Sequence, residues 1–408
     1  MVNVYGTHHR KLIPEETPIH KNLVDRTLFC QIETALGGKY WVPKLLIFSL
    51  LSVLFFALPS YERFWNPNND YKSIWTAIAN QIEHPLKAGH YDPRSHEAKI
   101  AFRLFPALIG QLAPFSEPLS RVMFIFFVQH LCGVLFFLML IKWAYATVAD
   151  KVSVFLVVYS FVFVYIGRCF FYEFYPFFDG IAFFIMMMAL CLKKPWAAFA
   201  VLSFAYWTDE RAVIASPLIL LYHLLDRGGW QTLTPKQMLA NYRTYIPYFA
   251  TLGLYAVMRL VLQAEYDLHT PVGGRADAGF SVFLDQLSHI PLAVVLAYEG
   301  SWLLIGAAAY VFLTNRSYSL LASYLGILVI ILVVSCCVWD VSRSVSYSFP
   351  ALLIAFGLLA NRYPIRYTRY VMLGILCFNL LIPTYKYHFH NFFWQVPAPL
   401  KLVHYFLG

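Results

Sequence analysis

Residues 196–225 read WAAFAVLSFAYW-TDER-AVIASPLILLYHLL: two apolar runs, Trp196–Trp207 and Ala212–Leu225, divided by Thr208-Asp209-Glu210-Arg211. Threaded as one membrane helix, this stretch holds three charged side chains at mid-bilayer. Each exposed Asp or Arg there costs roughly 2.5–3.5 kcal/mol. Read as two short spans, it places them in a turn facing outward. Both runs fall short of the roughly 20 residues that cross a lipid core. The turn is therefore expected to sit sunken below the outer surface, against protein or a water-filled cavity.

Parity along the rest of the chain favours the two-span reading. With the N-terminus inside, it leaves Lys142, Lys151, Lys193, Lys194, Arg227, Lys236, Arg243, Arg316, Arg362, Arg366 and Arg369 in inner loops. A single helix would put those from Arg227 onward outside, against the positive-inside rule. The remaining spans are expected at Val42–Leu58, Val122–Ala144, Val152–Phe170, Phe174–Leu192, Tyr245–Leu262, Pro291–Leu313, Leu320–Trp339, Val345–Ala360 and Tyr370–Tyr385. The fold class is thus an all-α, polytopic transmembrane helix bundle of about eleven spans. Segment 1–41 is expected to be cytoplasmic, 42–385 to form the transmembrane domain, and 386–408 to be a tail on the outer side. No cleavable signal peptide is apparent, and the run after Val42 is expected to act as a signal anchor.

Composition supports the class. Of 408 residues, 60% are hydrophobic and 13% charged, and mean hydropathy is +0.59; a soluble domain carries about 25% charged residues. The net charge of +9 is read as inner-loop Lys and Arg, which excludes a nucleic-acid binder. Cys132, Cys191, Cys336, Cys337 and Cys377 fall in apolar runs as small core residues without metal-type spacing.

The acids left over gather on the outer side. Asp70, Asp92 and Glu97 lie in the first outer loop (59–120), Glu173 and Asp179 at the start of the fourth span, Asp209 and Glu210 in the turn, and Asp340 after the ninth span. Glu299 sits about eight residues into the eighth span, at a depth that demands pairing or hydration. The basic partners on that side are Arg168, Arg211, Arg259 and Arg343. One reading makes them ion pairs that hold helices together, such as Asp340 with Arg343 or Glu210 with a neighbouring Arg. The other makes them a site, because intramembrane ionisable residues mark function and buried ion pairs stabilise poorly.

In the first outer loop, Asn66-Pro67-Asn68-Asn69-Asp70-Tyr71 halts the first span. Ile74, Ala77, Ile78 and Ile82 then recur at helical spacing, which predicts an interfacial helix, and a second amphipathic segment covers Ile100–Leu112 with Arg103 and Pro106. An acid just after the first span, two such helices and some ten or more spans resemble the GT-C class of integral membrane glycosyltransferases. This resemblance implies transfer of a sugar from a polyprenyl-phosphate carrier to a saccharide, lipid or protein acceptor on the periplasmic or lumenal side. It also implies that Asp70 acts as the catalytic base or orients the acceptor. The sequence lacks the paired acids often found in that loop of the class and the large soluble C-terminal domain of some members.

The chemistry suits the residues. A carboxylate deprotonates or orients an acceptor hydroxyl. Arg211 and Arg343, then Arg168 and Arg259, are the expected contacts of the lipid phosphate. Asp92, Asp179, Asp209, Glu210, Glu299 and Asp340 complete the expected substrate site. His84, His90 and His96 are read as solvated loop residues; no metal site is expected, and a divalent cation is the one cofactor left open. Two other functions compete: a transporter or flippase of a lipid-linked saccharide, and a membrane acyltransferase using His130 in the second span. A bacterial inner membrane is preferred to the endoplasmic reticulum.

Overall fold

The computed structural model describes residues 23–57, 72–87, 100–172, 177–228, 230, 240–268, 279–382, 385–388 and 391–394, with isolated positions beyond. A π-helical turn, Asp25–Phe29, leads into α1 (Cys30–Ala35) and α2 (Trp41–Phe56); α3 (Lys72–Glu83) and α4 (Leu104–Gln111) follow. The longest helix, α5 (Pro118–Val148), opens with proline at its first position, where Glu117 accepts from the Leu119 and Ser120 amides. Such a start satisfies amides that have no partner inside the helix. The chain reverses at Ala149, in the left-handed region, and Asp150 caps α6 (Lys151–Phe163) through the Ser153 amide at 2.8 Å.

Beyond α6 come α7 (Tyr165–Tyr172), α8 (Asp179–Cys191), α9 (Pro195–Tyr206), α10 (Arg211–Arg227), α11 (Tyr242–Tyr266) and α12 (Phe280–Asp285). The last third holds α13 (Ile290–Tyr298), α14 (Trp302–Thr314), α15 (Tyr318–Ser335), α16 (Val341–Val345), α17 (Pro350–Arg362) and α18 (Ile365–Leu381). Among the described residues the one sheet is a hairpin in the tail, Tyr385–His388 against Asn391–Trp394. It is an addition to the expected all-helical fold.

Among the described residues, four stretches are long and apolar enough to cross a membrane: α5, α11, Ile290–Thr314 and α15; there are up to six if each bent pair counts as one span. The bent pairs are α6–α7, at 57°, and Val341–Ser348 with α17, at 43°. Helices α2, α8 and α9 are apolar but shorter. The flanks of α11 and α15 leave Leu254, Val257, Leu260, Val329, Ile330 and Val333 exposed, a surface that lipid accepts and water does not.

The expected third and tenth spans are therefore bent helix pairs, and the eighth, within Ile290–Thr314, runs as one stretch interrupted by a 3-10 turn. They break at Val164, at Glu299–Ser301 and at Ser346–Phe349. At the first break Gly167 packs so closely that a Cβ there would lie 2.1 Å from the Phe161 carbonyl oxygen. The amphipathic helix α3 also differs from expectation, because its apolar side faces protein. Trp75, Ala77, Ile78 and Ile82 are buried, and Ile82 fills the space that Gly110 of α4 leaves open.

Helix polarity follows from contacts at the two ends. The C-terminal ends of α8 and α10 meet where His223 Nε2 lies 3.0 Å from the Ala189 carbonyl oxygen and Arg227 donates to that of Lys193 at 3.3 Å. Their N-terminal ends meet where Arg211 reaches Asp179. So α9 runs back between them, and the Thr208–Arg211 turn lies at the N-terminal end of α8. An aromatic column of Phe136, Phe170, Phe183 and Phe349 forms the core, and Phe183 carries it up to the Tyr347 ring at 4.8 Å.

Candidate functional site

Asp179 stands at the first position of α8, after Phe178 in the left-handed region, where a helix N-terminus favours a negative charge. Four donors converge on its carboxylate. Arg211 Nη2 reaches Oδ1 at 3.0 Å and the Tyr347 hydroxyl donates to Oδ1 at 2.7 Å. The Tyr165 hydroxyl donates to Oδ2 at 2.8 Å, and Arg343 Nε donates to the same oxygen.

Asp209 anchors the other side. It accepts from the Arg211 amide at 2.9 Å, from Arg211 Nε at 2.8 Å and from Nη2 at 2.7 Å, so one side chain both starts α10 and fixes the first guanidinium. Arg103 Nη2 adds a further contact at 2.9 Å and ties its own Nη1 to the Phe177 carbonyl at 3.2 Å. Burial pushes the Asp209 carboxyl up, but the Arg211 and Arg103 guanidiniums outweigh it and hold Asp209 well below the usual carboxylate range. Arg211 Nη1 donates to Ser344 at 3.0 Å, and Arg343 Nη1 to Asp340 at 2.8 Å.

Three guanidiniums, Arg103, Arg211 and Arg343, thus face three carboxylates, Asp179, Asp209 and Asp340. Each guanidinium stacks on an aromatic ring: the Phe177 centroid lies 3.8 Å from the Arg343 guanidinium carbon and 5.3 Å from that of Arg103, and the Tyr347 centroid lies 4.7 Å from that of Arg211. Asp179 and Asp209 side chains are 0% exposed, whereas Arg211 is 15% and Asp340 12%. The network therefore has a sealed floor and a slightly open rim.

Of the residues singled out from sequence, Asp179, Asp209, Arg211, Asp340 and Arg343 come together here. Glu210 stands one residue away and pairs instead with Arg259 at 3.0 Å, and that guanidinium also reaches the Tyr255 hydroxyl at 2.7 Å and stacks on Phe102 at 3.9 Å. The Asp340–Arg343 and Glu210–Arg259 pairs are those the helix-tying reading names. Arg168 and Glu299 are buried and each acts on the other's charge; Arg168 follows Tyr165, which donates to Asp179, and Glu299 follows Tyr298, which donates to the Val345 carbonyl. Asp70, Asp92, Glu97 and Glu173 lie outside the described residues, as do His90 and His96.

Sequence reading missed Arg103, Tyr165, Ser344 and Tyr347. Arg103 carried a signal, as a lone cation in an amphipathic loop segment; the two tyrosines are indistinguishable among 28. His130 places Nδ1 2.6 Å from the Phe170 carbonyl oxygen and stacks on Phe171, the environment of a core histidine. Among the described residues no group of three His, Cys, Asp or Glu side chains is disposed to hold a metal ion. Comparison with protein-family models, with curated proteins and with solved structures finds no match.

Proposed function

We propose that this chain is an integral-membrane glycosyltransferase of the GT-C kind, taking its sugar from a polyprenyl-phosphate carrier. The topology in this reading has about eleven spans, a cytoplasmic N-terminus and the Asp209 turn on the periplasmic side of a bacterial inner membrane. The acceptor is a saccharide, lipid or protein on that side. The short helices α2, α8 and α9 serve as additional crossings, and the Asp209 turn forms the floor of the cavity.

One observation carries the reading: segments far apart in sequence bring three arginines to one buried point with a partly open rim. Buried ions stabilise a fold poorly against apolar alternatives, so such a network calls for a reason beyond cohesion. Arginine forks match phosphate oxygens and spread their charge. A lipid phosphate entering at the rim takes the place of Asp340, the most accessible acid of the network, on Arg343. Arg211, pinned by Asp179 and Asp209, supplies positive potential as the leaving phosphate gains charge. Exposed apolar helix flanks flank the prenyl chain, and Asp70 remains the acid assigned to the acceptor by the GT-C resemblance.

Membranes containing the protein, supplied with a panel of radiolabelled polyprenyl-phosphate sugars, should move label into a covalent product. Asp70→Asn should abolish transfer without affecting insertion, and undiminished transfer would remove its assigned role. The helix breaks at Val164, Glu299 and Ser346–Phe349 favour a second reading, a transporter or flippase of the lipid-linked sugar, because discontinuous helices build transport sites. Flux of labelled donor across proteoliposomes with no covalent product would select it.

A further inference from the structure

Glu299 occupies a different setting from every other acid described at this end of the bundle. It lies between α13 and α14 with φ 50° and ψ −124°, a sparsely populated region for a side-chain-bearing residue. Ala149, Phe178 and Asp267 also have positive φ, but with ψ near 30° they are ordinary left-handed turns. The side chain is buried, and among the described residues neither carboxylate oxygen has a hydrogen-bond partner.

The surrounding backbone is held firmly. Asn379 of α18 accepts the Gly300 amide at 2.7 Å and donates to the Ser301 hydroxyl and the Ser160 carbonyl, both at 3.3 Å. One amide thereby links the break after α13 to α6, close to its own break. A Cβ on Gly300 would lie 2.7 Å from Phe378 and 2.8 Å from Asn379 Oδ1, so the turn cannot relax toward α18. Tyr298 fastens the near side, donating to the Val345 carbonyl at 3.0 Å and lying 2.8 Å from the Ser348 hydroxyl, just beyond Arg343. Among the described residues the charged group acting on Glu299 is Arg168 of α7, with Tyr172 and Cys169 beside that arginine; against the adjacent Gly300, α18 presents Phe378, Asn379 and the Ile375 carbonyl.

Among the described acids of the network and its neighbour Glu210, elimination then assigns a task. A carboxylate held by donors is a poor base, since each hydrogen bond favours its charged form. Asp179 has four donors, Asp209 is bound by Arg211 and Arg103, Asp340 by Arg343, and Glu210 by Arg259. A buried polar group without a partner is costly unless a ligand or a proton completes it.

We propose that Glu299 is the proton-exchanging carboxyl of this site, accepting the proton of the acceptor hydroxyl at the joint of two broken helices while Arg168 balances its charge, which leaves Asp70 the acceptor-orienting half of its assigned role. The proposal rests on the transferase reading and adds to it a base supplied by the helix breaks. In the step, Glu299 first gives up its resting proton to water and stands as the carboxylate; the acceptor O–H bond then breaks and its proton goes to Glu299. The oxygen pair forms the new bond to the sugar's anomeric carbon, the bond from that carbon to the phosphate oxygen breaks, and its electron pair leaves on the lipid phosphate. The arginine network receives that charge, and Glu299 later releases its proton to water.

Dicyclohexylcarbodiimide, an apolar reagent that couples to protonated carboxyls away from water, tests the assignment without knowledge of either substrate. Full-length protein in lipid nanodiscs should form an adduct at Glu299 by peptide mass mapping, faster as pH falls, with Asp179 and Asp209 unmodified. Absence of that adduct, or labelling of Asp179 or Asp209 in its place, overturns the proposal. In the donor panel, the near-isosteric Glu299→Gln should lower transfer by on the order of 10²-fold or more with its melting temperature retained. Wild-type transfer rates in that variant would overturn the base role even if Glu299 labels. A wild-type protein that labels at Glu299 yet transfers no sugar would instead sink the transferase reading.

Discussion

The two ends of the helix bundle both carry Asp–Arg networks, and they differ in how much water reaches them. At the Asp150 end, Arg369 bridges Asp150 and Glu33, while Arg366 pairs with Asp25 and Tyr370 donates to it. There Glu33 is 52% exposed and Arg366 34%. At the Asp209 end the two central carboxylates are sealed. Exposed pairs lose little when broken, because water replaces the partner. A sealed pair leaves an orphaned charge in a medium that cannot solvate it. Similar residue types thus form water-exposed fasteners at one end and a sealed network at the other.

The sharpest way to break this comparison is to remove Arg211, which bridges Asp179 and Asp209. Arg211→Ala should destabilise the protein by about 3–5 kcal/mol, read as a lowered melting temperature in lipid nanodiscs, and should abolish sugar transfer. Arg211→Lys should recover little of either, since one ammonium cannot reproduce a fork that meets two carboxylates. A variant melting like wild type would show that the sealed network is no more demanding than the exposed one.

Next in size is Gly167→Ala, which extends the contrast from charge to backbone. The added methyl meets the Phe161 carbonyl, so a loss of roughly 1–3 kcal/mol or more is expected, and with it disturbance of Tyr165 and Arg168 beyond the break. Asp150→Ala should follow at about 1–2 kcal/mol, combining a lost helix cap with a partly exposed pair. Burial works against the Asp150 carboxylate, but hydrogen bonds and charge from Arg369 outweigh it and hold Asp150 below its ordinary 3.8. Its contribution is therefore complete above that value and drains away as pH falls through the lower folded one. Asp150→Asn should flatten this acid limb of the stability profile. Smallest is Glu33→Ala, expected within about 0.5 kcal/mol because Glu33 is itself half exposed and Arg369 keeps Asp150.

Much of this contrast was legible in the chain. Thr208-Asp209-Glu210-Arg211 between apolar runs announced a turn, and parity collected Asp179, Arg211, Asp340 and Arg343 at one end before any contact was known. The breaks were not legible, because apolar runs such as Val152–Phe170 show no interruption when the bend is made by packing. Only Gly167, Gly300 and Pro350 hint at them, and each sits within a few residues of its break. Which acids are satisfied was hidden as well. Asp179 and Glu299 look alike in sequence, yet two tyrosines and two arginines complete the first, and no described residue hydrogen-bonds the second.

The central claim, that the sealed end receives a lipid phosphate, is tested most directly by native mass spectrometry of the nanodisc-held protein titrated with undecaprenyl phosphate. Saturable binding is expected for wild type and for Asp150→Asn, and its loss for Arg343→Gln at temperatures where that variant remains folded. Equal binding by Arg343→Gln and Asp150→Asn, or no binding by wild type, would contradict the account.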